Sequence, residues 1–340
     1  MTIQDHLKAD PLPWLLEEES PGARYLALRD IVGLSEDDTE LIAARKTAHK
    51  NGPIAATLAE MDIKGFWVKP GPGYIQRYRS SVWSIIMLAQ LGARIDEDER
   101  IKQACNYLLD HALTSNGQFT MTGAPSGTID CLQGNLCWSM IELGCDDPRL
   151  ELAFDWMARS VTGEGIAPLE NQQAPVRYYA GKCGPNFACG YNNKFPCAWG
   201  AAKVMLALGK WPNKLQTPLI KDAIQEGIDF LFSTDPAKAE YPRRHSKNKP
   251  SPNWWKFGFP VFYITDLLQI VEGLVSLGYG NDPRLANAIS IIREKQDKDG
   301  RWPLEYDYSG KTWTNFGEKD LPNKWVTLRA LRVLKAIDAN

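Results

Sequence analysis

Cys183, Cys189 and Cys197 fall within the window "GKCGPNFACGYNNKFPCAWG" (181 to 200) of a chain that holds seven cysteines. Thiolates are zinc ligands: four close a tetrahedral structural site, whereas three with a carboxylate or water leave a position open for Lewis-acid or nucleophile activation. Cys131 is the candidate fourth. It and Cys197 each stand at the first turn of an apolar segment, "CLQGNLCWSMIELG" (131 to 144) and "CAWGAAKVMLALG" (197 to 209), and Asp130 precedes the first of them. Helix N-termini and a metal together would keep the sulfurs deprotonated. The C-x5-C-x7-C spacing matches no standard finger. The alternative is buried, inert thiols, since cysteine is among the most often buried residues. Against it stands the polar, turn-rich loop that carries Cys183 and Cys189. A disulfide framework suits an odd count poorly. We therefore expect structural zinc on Cys131, Cys183, Cys189 and Cys197, and no partners for Cys105, Cys137 and Cys145.

Asp266, in "FPVFYITDLLQ", is the second place where chemistry is expected. It opens an apolar segment among aromatics, where burial raises a carboxyl pKa and a helix N-terminus lowers it. A first-turn acid needs no function, so the alternative to a general acid or base is an N-cap. Tyr263 lies beside it, and Asp130 is a further candidate acid. The wall of a cavity could be drawn from Trp83, Trp138, Trp199, Trp254, Trp255 and Trp325, because aromatic faces hold alkyl or sugar rings and stabilise cations. The loop 238 to 260 carries Arg243, Arg244, His245, Lys247 and Lys249 and reads as a lid or as a solvated loop.

Helices must position these residues. Segments apolar nearly all round recur at 80–92, 131–144, 197–209, 265–278 and 324–337, as expected of helices buried on both sides. Between them, 101–113, 149–161, 219–232 and 284–296 repeat apolar residues at three and four positions, the pattern of helices with one wet face. "LGCDDPRL" (143 to 150) echoes "LGYGNDPRL" (277 to 285): a glycine stop, then Asp-Pro opening the next helix. Gly is followed by an aromatic at Gly65-Phe66-Trp67, Gly117-Gln118-Phe119 and Gly300-Arg301-Trp302. Alternating β-branched runs are sparse, so the class is all-α. Two kinds of helix in alternation predict a closed double ring around a cavity, an open solenoid being the alternative.

The "QDKDGRW" segment (296 to 302) and its weaker copies resemble the glutamine/tryptophan repeat of the prenyltransferase and squalene-cyclase superfamily. That resemblance covers about 55 to 338 and implies an α/α toroid; residues 1–54 are expected to be a helical extension packed on the ring of a single 1–340 domain. It implies much less about activity. The D-x-D-D run of class II terpene cyclases is absent. "IDEDER" (95 to 100) lies on a polar connection, where carboxylates have ordinary acidity and cannot protonate a hydrocarbon. The Asp-and-Cys zinc pattern of protein prenyltransferases is matched only loosely by the adjacent Asp130 and Cys131.

Composition bounds the rest. With 340 residues, 44% of them hydrophobic, the chain fills a large core, and a formal charge of −2 without a basic block favours neither nucleic acid nor an anionic membrane. No stretch reaches the apolar length of a membrane span and the first residues lack a secretory pattern, so a cytoplasmic protein is expected. The expected function is an enzyme acting on an apolar, isoprenoid-like small molecule in an aromatic-lined cavity. The alternatives are a polysaccharide lyase or hydrolase and a noncatalytic ligand-binding scaffold.

Overall fold

The computed structural model describes residues 7–166, 182–243 and 250–338. Its helices are α1 Leu12–Leu15, α2 Pro21–Leu26, α3 Thr39–Lys50, α4 Pro53–Ala59, α5 Ser81–Gln90, α6 Glu99–His111, α7 Asp130–Leu143, α8 Arg149–Thr162, α9 Ala198–Lys210, α10 Pro218–Leu231, α11 Leu267–Ser276, α12 Ala286–Glu294 and α13 Lys324–Asp338. A π-helical stretch, Ala27–Val32, continues α2. Among the described residues the only strands are Cys183–Gly184 and Ala188–Cys189, paired antiparallel. Nor is any helix there long and apolar enough to cross a membrane.

The segments apolar all round form the inner layer, each packed on the next in the order α5, α7, α9, α11, α13. The last, α13, also packs on α2 and on Ala27–Val32. Tyr25 and Leu26 lie directly under Gly92, just past the end of α5. That contact closes the circle. Amphipathic α6, α8, α10 and α12 each lie on an inner helix and carry the wet faces, so the class is all-α with two concentric layers. Burial of both faces explains the all-round apolarity of the inner set, whose side chains meet protein on every side. Within residues 1–54, Pro21–Val32 packs on the ring and supplies Arg29 and Asp30 to its cavity wall. Its "YLAL" run, Tyr25 to Leu28, is no more than 3% exposed.

The turns follow their residue chemistry. Gly144 and Gly278 stop α7 and α11 at positive φ, and Asp147 and Asp282 each accept the N–H two residues on at 2.9 Å. Each Gly-aromatic return wedges a ring under the helix before it. Trp67 and Trp302 are fully buried and donate their indole N–H to Thr57 and Ile292 carbonyls at 2.8 and 2.7 Å. A side chain at Gly117 would collide with the Leu152 carbonyl, so the close approach there requires glycine. The same lack of a Cβ lets α7 touch α9 backbone to backbone, since one on Gly134 would lie 2.5 Å from the Val204 nitrogen.

Candidate functional site

The hollow of the ring is a cavity of about 470 Å³ lined from all six inner elements. Its wall comes largely from the C-terminal parts of those helices: Ala89 and Gln90 of α5, Trp138 and Glu142 of α7, Leu206 and Lys210 of α9, Val275 and Ser276 of α11, and Arg332, Val333 and Ala336 of α13. The opposite end is plugged. There the loop before α11 brings in Phe262, whose ring centroid lies 5.0 Å from that of Tyr78 and 5.4 Å from that of Trp83. Gln90 pins this loop by trading hydrogen bonds of 2.8 Å with the backbone of Val261.

The aromatic lining is corrected by this arrangement. Of the six tryptophans, only Trp138 lines the cavity, joined by Phe259. Trp83 is sealed in the plug, where Tyr263 and half-buried Trp199 border it. Trp254 and Trp255 anchor their loop instead, donating to Pro236 and Ala237 carbonyls at 2.9 and 2.8 Å. Trp325 stacks on Phe259 at the foot of α13. Helical periodicity tells which face a tryptophan occupies but not its depth along the axis.

Charge marks the cavity instead. Six of its lining residues are bases (Arg29, Lys203, Lys210, Arg329, Arg332, Lys335) against three acids (Asp30, Glu142, Glu272), and most of these charges are paired with one another. Arg332 and Arg29 hold Asp30 at 2.7 and 2.6 Å. Burial by itself would raise this carboxyl, but the two guanidiniums outweigh it and hold it at about 2. Burial likewise opposes Glu142, which Lys210 at 2.9 Å and Arg29 at 3.3 Å bring below its ordinary value. Glu272 goes the other way: burial raises it despite Arg329. Lys335 donates to the carbonyls of Asp30 and Ile31, each at 3.0 Å. Its charge has no carboxylate in ion-pair reach among the described residues.

Asp266 is not at the cavity mouth. It caps α11 through the Gln269 N–H at 2.8 Å, and Arg329 grips both its oxygens at 2.8 and 2.9 Å. The Gly258 N–H adds a third approach at 3.3 Å. Only a crevice of about 10 Å³ adjoins it, roughly the space of a single water. The geometry is that of a buried clamp between α11 and α13.

The four thiols do not form a ligand cluster among the described residues. Cys183 faces Cys189 in the two-residue ribbon, and Asp130, at the start of α7, meets Gly200 in the first turn of α9. The neighbouring Cys197 thiol, against burial, brings Cys189 down to about 6, helped by the backbone at Tyr191 and Asn192. Burial, then the neighbouring Cys189, pushes Cys131 up to about 12. Burial and then Asp130 raise Cys183. Asp130 is 4% exposed, and burial raises its carboxyl far above the usual range. Its Oδ1 accepts from Ser160 at 3.4 Å, and its Oδ2 has no partner among the described residues. Among those residues no three His, Cys, Asp or Glu side chains are grouped to hold a metal ion. The thiols stand as one paired couple, Cys189 with Cys197, beside two raised ones.

Of the basic loop, Arg244, His245, Lys247 and Lys249 lie outside the described residues. The residues that sequence reasoning missed are Lys203, Glu272, Arg329, Arg29 and Asp30. Lys203 and Glu272 each interrupt a run that is otherwise apolar, which only a polar interior accommodates, whereas Arg29, Asp30 and Arg329 stand among other charges and carried no such signal.

No family model matches this chain, and no curated protein matches it. Among solved structures it is similar to the apo type II terpene cyclase MstE from Scytonema. A point variant of that enzyme shares 13% identity over 88% of this chain and 96% of that chain, with a TM-score of 0.35. The unsubstituted form gives 12%, 88%, 97% and 0.33. So distant a likeness decides no activity.

Proposed function

We propose that the protein is an enzyme whose substrate is a small amphiphile, an apolar body with an anionic head, held in the cavity of the ring. The observation that carries this reading is the lining itself: aliphatic and aromatic walls from six helices, with twice as many bases as acids. The volume falls within the roughly 300–1,000 Å³ of ligand pockets. An isoprenoid body of ten carbons would gain about 0.8 kcal/mol per buried CH2, while a charge-assisted hydrogen bond to the head adds about 1.5–3 kcal/mol. The body supplies most of the affinity and the head sets its orientation. Lys335 is the first contact for that head, since meeting an anion there breaks no ion pair.

Oligosaccharides fit less well, because the walls offer few neutral hydrogen-bonding groups for hydroxyls and mostly paired charges. Thermal unfolding with geranyl phosphate, with decanoate and with a neutral oligosaccharide tests the reading. A saturable rise in Tm with the two anionic amphiphiles alone is expected. A rise with the oligosaccharide alone would overturn it.

A further inference from the structure

We infer that Lys203 is a reactive amine of the cavity, the residue with which a carbonyl-bearing ligand forms an imine. The inference rests on the reading of the cavity as a binding site and adds a chemistry to it.

Lys203 lies in the middle of α9, is 1% exposed and contributes to the cavity wall together with Gln269. Its backbone is fixed from behind, where Gly134 of α7 abuts the Lys203–Val204 peptide. A buried lysine is ordinarily paired with a carboxylate. Among the described residues Lys203 is not. Its amine donates to Thr265 Oγ1 at 2.8 Å and to Gln269 Oε1. Both partners are neutral, and the Thr265 hydroxyl spends its own hydrogen on the Trp199 carbonyl at 3.4 Å, which leaves its oxygen as an acceptor.

Two acceptors match the two N–H groups of a neutral amine and leave the nitrogen lone pair over. An ammonium would carry a third N–H, for which the described residues offer no further acceptor. The charges around it come from three elements: Asp266 and Glu272 at the start of and within α11, Arg329 of α13, and the Cys131 thiol of α7. Arg329 spends its charge on both acids, so little of the carboxylates' field is left to hold an ammonium. Burial is the main cause that brings the Lys203 amine down to about 7, with Arg329 adding to it and the acids opposing.

The step balances without any further reagent. The lone pair attacks the carbonyl carbon of an aldehyde or ketone to give a carbinolamine. Both amine protons then leave with the carbonyl oxygen as water, and the C=N bond forms. The reaction needs a desolvated, unprotonated amine, which a surface lysine is not at neutral pH.

The test uses the whole chain, citral as an isoprenoid aldehyde, and sodium cyanoborohydride to fix any imine as a secondary amine, read by peptide mass mapping. At limiting citral and neutral pH, the adduct is expected on Lys203, reduced by excess geranyl phosphate and absent with geraniol. Its yield should rise through about pH 7, whereas surface lysines respond only near their ordinary value of about 10.4. Lys203→Met should lose the adduct while keeping the helical circular dichroism of the parent. If that variant fails to fold, the wild-type map alone decides. Label spread over surface lysines with Lys203 unmodified overturns the inference. Binding of geranyl phosphate is measured separately by tryptophan fluorescence: if it binds and Lys203 is unlabelled, the imine fails and the cavity stands. If Lys203 is labelled and geranyl phosphate does not bind, the amine stands and the anionic head group fails.

Discussion

Arg329 of α13 holds Asp266, the N-cap of α11, through two parallel bonds, Nη1 to Oδ2 at 2.8 Å and Nη2 to Oδ1 at 2.9 Å. The same guanidinium reaches Glu272 at 2.8 Å and the Gly258 carbonyl at 2.8 Å. Three acceptor groups thus hang on one side chain that is 4% exposed. Breaking a buried pair by removing one partner costs about 3–5 kcal/mol, because the other charge stays buried and unpaired. Arg329→Met should therefore destabilise by at least that amount in urea unfolding, and Asp266→Asn by less. Equal losses from the two would show that the clamp to Glu272 and Gly258 contributes nothing.

The cavity acids give stability an acid limb. Asp30 is held at about 2 in the folded state, below the unfolded value of about 3.9. Its contribution is complete above the unfolded value and is lost as pH falls from about 4 through about 2. Asp30→Asn should flatten that limb of the urea-midpoint profile; an unchanged profile would show that the Arg29 and Arg332 pairing of Asp30 adds no stability.

Lys203 and Asp130 shift stability in opposite directions as pH rises. The Lys203 amine is lowered to about 7 by burial, so between there and about 10.4 the unfolded chain binds the extra proton and stability rises with pH, by up to about 1.4 kcal/mol per unit. The Asp130 carboxyl is raised by burial, so its contribution is greatest below about 3.9 and declines as pH climbs above that. Lys203→Met should lose the rise, and Asp130→Asn should gain stability at neutral pH. The reverse of either sign in urea unfolding at several pH values would contradict the burial assigned to it.

Thiol reactivity follows the pairing. Cys189 is half-buried with its thiol brought down to about 6, whereas burial pushes Cys137 and Cys183 up. Iodoacetamide at neutral pH should label Cys189 first, by at least roughly tenfold over Cys137 and Cys183. Protection of Cys189 that a chelator removes would instead place zinc on the thiols.

The ring was legible because its signal is redundant. Five segments apolar all round, 80–92 to 324–337, become α5, α7, α9, α11 and α13 within a few residues, since burial on two faces leaves no polar stripe to misread. The sixth wall, Pro21–Val32, was missed because Arg24, Arg29 and Asp30 make it look like a surface helix. Those last two charges line the cavity. Arg329 was overlooked for the same reason, among the other charges of 324–337, and Lys203 because a lone charge in an apolar helix gains its meaning only from the neighbouring helices that supply its partners. The setting of Asp266 depended on Arg329, sixty-three residues away.

Tight packing between inner helices is a separate expectation. A methyl on Gly134 would lie 2.5 Å from the Val204 nitrogen and 2.6 Å from the Lys203 oxygen, both backbone atoms that cannot turn aside. Gly134→Ala should cost about 1–3 kcal/mol or more through overpacking, read as a fall in Tm. A neutral or stabilising change would mean that α7 and α9 are not so close.

The ring's cavity is proposed to take an amphiphile by its anionic head. Isothermal titration of geranyl phosphate against geraniol tests it most directly, in the wild type and in Lys335→Ala. One saturable site is predicted, with the phosphate bound roughly tenfold or more tightly than the alcohol and most of that difference lost in the variant. Equal affinity for phosphate and alcohol, or no saturable binding of either, would contradict it.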